Sequence, residues 1–243
     1  MQLIASDVSH SYGASVQALG GVSFTLKPGV TGLVGVNGAG KSTLMHFLAG
    51  LIVPTSGSLT VVDDSGRTLT RWRDLRSRVA LMPQAFDVPR NVRTIDVVAY
   101  LTSLRGFGAK NAAARAGTAL AAVGLGDRAS TPIRSLSGGM LRRVAFAQAI
   151  AADPDVLVLD EPTTGLDPEQ RVLVRDLIWQ RRNRGITLLS SHVMEDLQAV
   201  ASRILVLDEG HLIFEGSMTD MLAGHANAEE SFMSLLLARR DPA

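Results

Sequence analysis

The sequence predicts an α/β fold: a mostly parallel core sheet, an antiparallel β subdomain at the N-terminal end, and a helical subdomain inserted between core strands. Three observations lead there. Short β-prone runs, Val30–Val34, Val156–Leu159, Ile186–Leu189 and Ile204–Leu207, are spread along the chain. The second and fourth are continuously apolar, as strands covered on both faces require. The first run leads into Gly35-Val36-Asn37-Gly38-Ala39-Gly40-Lys41-Ser42, after which Leu44, Phe47, Leu48 and Leu51 recur at helical spacing. Between about Thr94 and Ala152 the composition shifts to Ala, Leu and Arg with few β-branched runs, which predicts helix.

Taken in order, the chain opens with β-prone runs at Leu3-Ile4 and Val22–Leu26, separated by turn signals at Tyr12-Gly13 and Lys27-Pro28-Gly29. These read as antiparallel strands laid over the glycine-rich loop. Gly50 stops the helix that follows the loop, Pro54-Thr55-Ser56-Gly57 reads as a turn, Ser58–Val62 as a strand, and Asp63-Asp64-Ser65-Gly66 as a second turn. Arg67, Arg71, Arg73, Arg76 and Arg78 surround Trp72; Asp74 interrupts them, so they read as a solvated face. Val79–Met82 is strand-like and ends at Pro83-Gln84. The helical stretch is broken near Gly106-Phe107-Gly108, Gly124-Leu125-Gly126 and Ser137-Gly138-Gly139. Asp208-Glu209-Gly210-His211 reads as a hairpin turn into Leu212–Phe214, and 229–240 as an amphipathic helix packed on the body.

Bulk composition narrows the function classes. A chain of 243 residues, 46% hydrophobic and 19% charged, is globular and can bury a sizeable core. Its net charge of +1 gives no electrostatic reason to expect nucleic acid as a partner. It has no cysteine, which excludes disulfides, thiolate catalysis and Cys-based zinc sites. No run approaches the ~18 apolar residues that cross a bilayer, and the first residues lack a secretion-signal pattern. The expectation is a cytoplasmic protein whose membrane role, if it has one, comes through a partner.

The loop at 35–42 fits G-x-x-x-x-G-K-[ST], the phosphate-binding Walker A pattern. Its glycines let successive backbone N–H groups turn toward one point, and the helix N-terminus adds partial positive charge there. Lys41 would reach the β- and γ-phosphates and Ser42 would ligate Mg²⁺. An ordinary glycine turn is the plainer alternative, but Lys41 is one of only three lysines among 24 basic residues. Val156–Leu159 then delivers Asp160-Glu161-Pro162. A buried apolar strand ending in a carboxylate presents an acidic group to Mg²⁺ in P-loop NTPases, which makes Asp160 the Walker B residue. Glu161 could act as general base toward water.

Leu136-Ser137-Gly138-Gly139-Met140, upstream of Walker B, resembles the signature sequence of ATP-binding cassette (ABC) proteins. A hydroxyl and bare N–H groups at a helix N-terminus again suit an anion. The resemblance runs from about Leu3 to Gly216 and implies roles residue by residue. Gln84 matches the Q-loop glutamine, with a part in catalysis and in Mg²⁺ binding. Asp167 in Thr164-Gly165-Leu166-Asp167 matches the D-loop, and His192 the switch histidine that contacts the γ-phosphate. Tyr12 falls where an aromatic stacks on adenine, although Ser-Tyr-Gly is also simply a turn. Nucleotide contacts are expected from Asn37, Gly38, Ala39, Gly40, Lys41, Ser42, Thr43, Ser137, Gly138, Gly139 and Asp167, and metal contacts from Ser42, Gln84 and Asp160. For His192 the plainer alternative is a first-turn position in a helix capped by Ser191. The signature departs from the usual pattern at its fifth residue, where Met140 replaces glutamine and cannot donate a hydrogen bond. With Ser-Gly-Gly intact, the γ-phosphate contact is expected to survive.

The resemblance implies a fold of P-loop NTPase type, with an ATPase domain over 1–220, its helical subdomain at about 87–152, and a helical tail over 221–243. It further implies a head-to-tail dimer with a second copy or a similar ATPase subunit, binding ATP and Mg²⁺ and hydrolysing the nucleotide. The partner would be a transmembrane permease subunit, with the chain peripheral on the cytoplasmic face. One rival is a soluble ABC-type ATPase acting on a ribosome or nucleic-acid complex, but such chains usually carry two cassettes or a coiled-coil insertion. A nucleotide kinase gives the signature, Gln84 and His192 no role. A module that binds without turnover leaves Glu161 and His192 unexplained.

Overall fold

A computed structural model describes residues 1–13, 16–70, 74–75 and 78–240. Its strands are β1 (Gln2–Tyr12), β2 (Val16–Leu26), β3 (Gly29–Val34), β4 (Ser56–Val62), β5 (Thr68–Leu69), β6 (Val79–Met82), β7 (Val156–Leu159), β8 (Ile186–Ser190), β9 (Arg203–Asp208) and β10 (His211–Ser217). Its helices are α1 (Lys41–Leu48), α2 (Thr94–Ser103), α3 (Ala109–Ala122), α4 (Gly138–Ile150), α5 (Pro168–Gln180), α6 (Met194–Val200), α7 (Met218–Leu222) and α8 (Ala228–Arg240). Arg71, Trp72, Arg73 and Arg76 of the arginine-rich stretch lie outside the described residues. Arg78, at its end, pairs with Asp155 at 3.1 Å.

Two sheets form. The antiparallel one has the order β2-β1-β4-β5, and the other β10-β9-β3-β8-β7-β6. Within the second sheet all pairings are parallel except β9 with β10. Alternation along its strands sends side chains to two cores. Val30 and Val34 of β3 and Leu157 and Leu159 of β7 enter a core shared with the helices of the inserted subdomain. Leu33, Val156 and Val158 enter a second core, between the two sheets, which also holds Leu44, Met45, Phe47 and Leu48 of α1. Both faces of the parallel sheet are therefore covered, which is why its strands read as apolar runs. Helices α2, α3 and α4 all fall between β6 and β7 in the chain. No helix among the described residues is long and apolar enough to cross a membrane.

The expected fold is present, with local differences. Helix α5 did not stand out from apolar spacing, although Asp167 caps it by accepting the Gln170 N–H at 2.9 Å and Pro168 occupies its first turn. Position 220 falls inside α7. Ser56-Gly57 belongs to β4, not to a turn. The β1–β4 register shifts between Ser6 and Ser9, and Asp7 has φ 49. Gly57 answers that bulge with φ 87, and a Cβ there would collide with the Asp7 carbonyl. Gly57→Ala should therefore destabilise the protein by at least about 1 kcal/mol, from positive φ and close approach together; urea unfolding measures it, and wild-type stability would contradict the bulge.

Candidate functional site

The 35–42 loop leaves the C-terminal end of β3 and enters α1, whose apolar face is locked between the sheets. Gly40 makes the entry possible: its φ is 100, and a Cβ would strike the Ala18 carbonyl of β2. Strand β2 of the antiparallel sheet thus passes close against the loop. Lys41 opens α1 and folds back, donating to the carbonyls of Gly35 at 2.6 Å and Val36 at 3.0 Å. Burial pushes the Lys41 ammonium below the ordinary lysine range, while Glu161 and Asp160 oppose the shift.

Asp160 follows β7, two strands from β3, and is only 3% exposed. A buried carboxylate needs partners. Ser42 donates to its Oδ2 at 3.0 Å and Ser190, at the end of the intervening β8, to its Oδ1 at 2.7 Å. The Ser190 hydroxyl also accepts the Glu161 N–H at 3.0 Å. Glu161 itself adopts φ 54, a region that residues with side chains rarely visit. Its Oε2 meets His192 Nδ1 at 2.7 Å and accepts from Thr164 Oγ1 at 2.9 Å.

A cavity of about 370 Å³ lies over this cluster. Tyr12, Asn37, Gly38, Ala39, Gly40, Lys41, Ser42, Thr43, Gln84, Asp160 and Glu161 all line it. Tyr12 is 49% exposed, stands edge-on to the His10 ring, and accepts from the Thr43 hydroxyl at 3.5 Å. His192 joins the site through Glu161. It precedes α6, which begins at Met194, and is 64% exposed. Ser191 does not cap that helix: its hydroxyl accepts the N–H of Val193, the residue before the helical run.

Ser137, Gly138, Gly139 and Asp167 do not line this cavity. Ser137 is exposed and caps α4, accepting the Met140 N–H at 3.2 Å. It lines a separate cleft with Gly138, near Phe86 and Ile133. Gly139 faces the first turn of α5 and the loop before it: a Cβ there would come within 2.8 Å of Gln170 Oε1 and 3.7 Å of the Gly165 carbonyl. Met140, the departure from the usual signature, packs against the helical core, where a thioether fits better than an amide. Sequence reading missed Ser190 as a site residue. The available signal was a hydroxyl pair, Ser190-Ser191, closing an apolar strand directly before a candidate histidine.

Two outcomes follow. Lys41→Ala should greatly weaken ATP binding by removing a charge from the loop; a filter-binding assay with wild-type affinity would reject the assignment. Ser190→Ala should lower ATP turnover roughly tenfold or more, since it frees one Asp160 oxygen and the Glu161 N–H together. An unchanged rate in a steady-state phosphate-release assay would make Ser190 a packing residue.

The comparisons with known proteins agree with this geometry. The ABC transporter family profile matches residues 19–164. A Nod factor export ATP-binding protein of Burkholderia orbicola is 36% identical over 213 residues, covering 87% of this chain and 69% of that protein. A methionine import ATP-binding protein of Rhodococcus jostii is 35% identical over 232 residues, 93% of this chain and 68% of the relative. Among solved structures, an ATP-binding subunit of an ABC transporter superposes with TM-score 0.85 at 23% identity, covering 97% of this chain and all of that one. A dimeric ATP-binding cassette bound to ADP and Pi follows with TM-score 0.78 at 22% identity, over 89% and 98% of the two chains. Fold, motif and relatives converge: the chain belongs to the ABC transporter family, as its ATP-binding ATPase component.

Proposed function

We propose that two cassettes, this chain with a second copy or a similar subunit, close head to tail around two MgATP and drive a separate membrane-spanning permease. The chain would then sit peripherally on the cytoplasmic face of the membrane. The observation that carries the dimer is the division of the anion-binding elements. Lys41, Ser42, Asp160 and Glu161 line one cavity, whereas Ser137 and Gly138 are exposed at another cleft. In a head-to-tail pair the signature turn of one copy completes the site of the other. The relatives' names, an export and an import ATP-binding protein, support a permease partner.

Within each site Lys41 neutralises the β- and γ-phosphates and Tyr12 offers its ring to the adenine. The Ser42 hydroxyl and Asp160 carboxylate, 3.0 Å apart, are hard oxygen donors suited to Mg²⁺, with Gln84 beside them. Held by these residues, Mg²⁺ would supply positive charge that offsets the charge of the phosphates. Glu161 accepts a proton from water as the water oxygen attacks the γ-phosphorus; the bond from γ-phosphorus to the ADP oxygen breaks, and ADP leaves. His192, bonded to Glu161 Oε2, would hold that carboxylate in place and could reach the γ-phosphate once the cassettes close.

Glu161→Gln keeps the shape but removes the base, so turnover should fall roughly 10²–10⁴-fold. ATP should then hold two copies together, as read by light scattering after gel filtration. In the wild type, activity should rise more steeply than linearly with protein at low concentration, by mass action. Full turnover by a species that scatters as a monomer would refute the paired site.

A further inference from the structure

Arg142 bridges two strand ends where their own ladder stops. The β6–β7 pairing runs to Met82 opposite Leu159 and closes with the Asp160 N–H on the Met82 carbonyl, 2.9 Å. Beyond that rung the chains separate into Pro83-Gln84 and Asp160-Glu161. The Arg142 guanidinium takes over: Nη1 donates to the carbonyls of Pro83 and Gln84, and Nη2 to those of Asp160 and Glu161. The four N–H donors of the two Nη atoms thus face four backbone acceptors. These acceptors belong to the two segments that carry Gln84, Asp160 and Glu161, and the donor is rooted in α4, the helix that Ser137 caps.

Glu161 sharpens the point. A non-glycine residue at φ 54 persists only when its surroundings over-determine it. Ser190 grips its N–H and Arg142 its carbonyl, so its peptide groups are fixed from both sides. Burial pushes the guanidinium below its ordinary range and Asp160 and Glu161 oppose that shift, so the cation lies within the field of the acidic pair. We infer that Arg142 is a positioning residue, which aligns Glu161 and the Gln84 segment with the signature turn at the head of its own helix. Resting on the composite site proposed above, this makes the hydrolytic geometry at one ATP depend on the helix that meets the other. A lysine cannot substitute, because an ammonium places three donors at one point and cannot span four carbonyls.

The test compares Arg142→Lys and Arg142→Gln with the wild type and Glu161→Gln, measuring equilibrium ATP binding, kcat and thermal unfolding. Both Arg142 variants should bind ATP within about twofold of the wild type and lose kcat roughly 10- to 100-fold, the scale of a small misplacement of catalytic groups. Lysine should not restore the rate. Wild-type kcat in the lysine variant overturns the inference; so does a lysine variant that fails to fold or to bind ATP, which would make Arg142 a stability residue. Should the glutamine variant alone unfold, the lysine variant decides. Failure of the ATPase reading is distinct: wild type and Glu161→Gln would then hydrolyse ATP equally, whatever the Arg142 variants do.

Discussion

Burying the Asp160 carboxylate is the constraint on which the site depends. A carboxylate 3% exposed at the end of a parallel strand is costly unless its oxygens are bonded. Its two side-chain partners come from different strands: Ser42 follows β3 by way of the loop, and Ser190 ends β8 between them. The pairing of Leu33 with Ser190 and of Leu159 with Leu189 sets all three in line. Because side chains alternate along a strand, a one-residue slip would turn Ser190 to the other face and leave Asp160 Oδ1 bare. Sheet register and the acidic site therefore specify one another.

Two-sided burial makes that register firm. Side chains of β3 and β7 interdigitate with α1 and the antiparallel sheet on one face, and with the helices on the other. The 35–42 loop cannot shift without moving α1, whose Phe47 and Leu48 are fully buried. The tail helix α8 adds a brace, with Arg239 donating to the Asp208 carbonyl at the end of β9 at 3.1 Å. Asp208 adjoins the hairpin whose Gly210 N–H bonds the Ala39 carbonyl of the loop at 3.0 Å. A short chain of contacts thus links the far end of the sequence to the nucleotide cavity.

What was legible in the sequence follows from this arrangement. Apolar runs, the 35–42 loop and the carboxylate after β7 are local patterns, and local patterns survive translation into structure. Ser190 and Arg142 act across 30 and 18 residues through a sheet neighbour or a helix face, so no short motif exposes them. Gly57 misled because glycine signals both turns and bulges, and only the facing strand distinguishes the two. The helix after Asp167 did carry a readable cap and first-turn proline. Asp167 closes the Thr164-Gly165-Leu166-Asp167 loop and caps the helix at once, so a loop pattern and a helix start overlap at one residue.

The contrast between the two anion-binding elements remains the most informative feature of the fold. The 35–42 loop with Lys41 shares one cavity with the buried acidic pair, while Ser137 and Gly138 face solvent at another cleft. A single chain organised to hydrolyse ATP alone would gain by bringing these donors onto the same phosphate, since preorganised donors are worth most where water is excluded. Here they instead line separate cavities. Under the proposed pairing, that separation makes turnover conditional: ATP can bind an open cassette, but the donors around its γ-phosphate are complete only after closure. In that proposed pairing closure would also be the event that moves a membrane partner, so the geometry that would withhold hydrolysis from a lone chain would tie it to mechanical work.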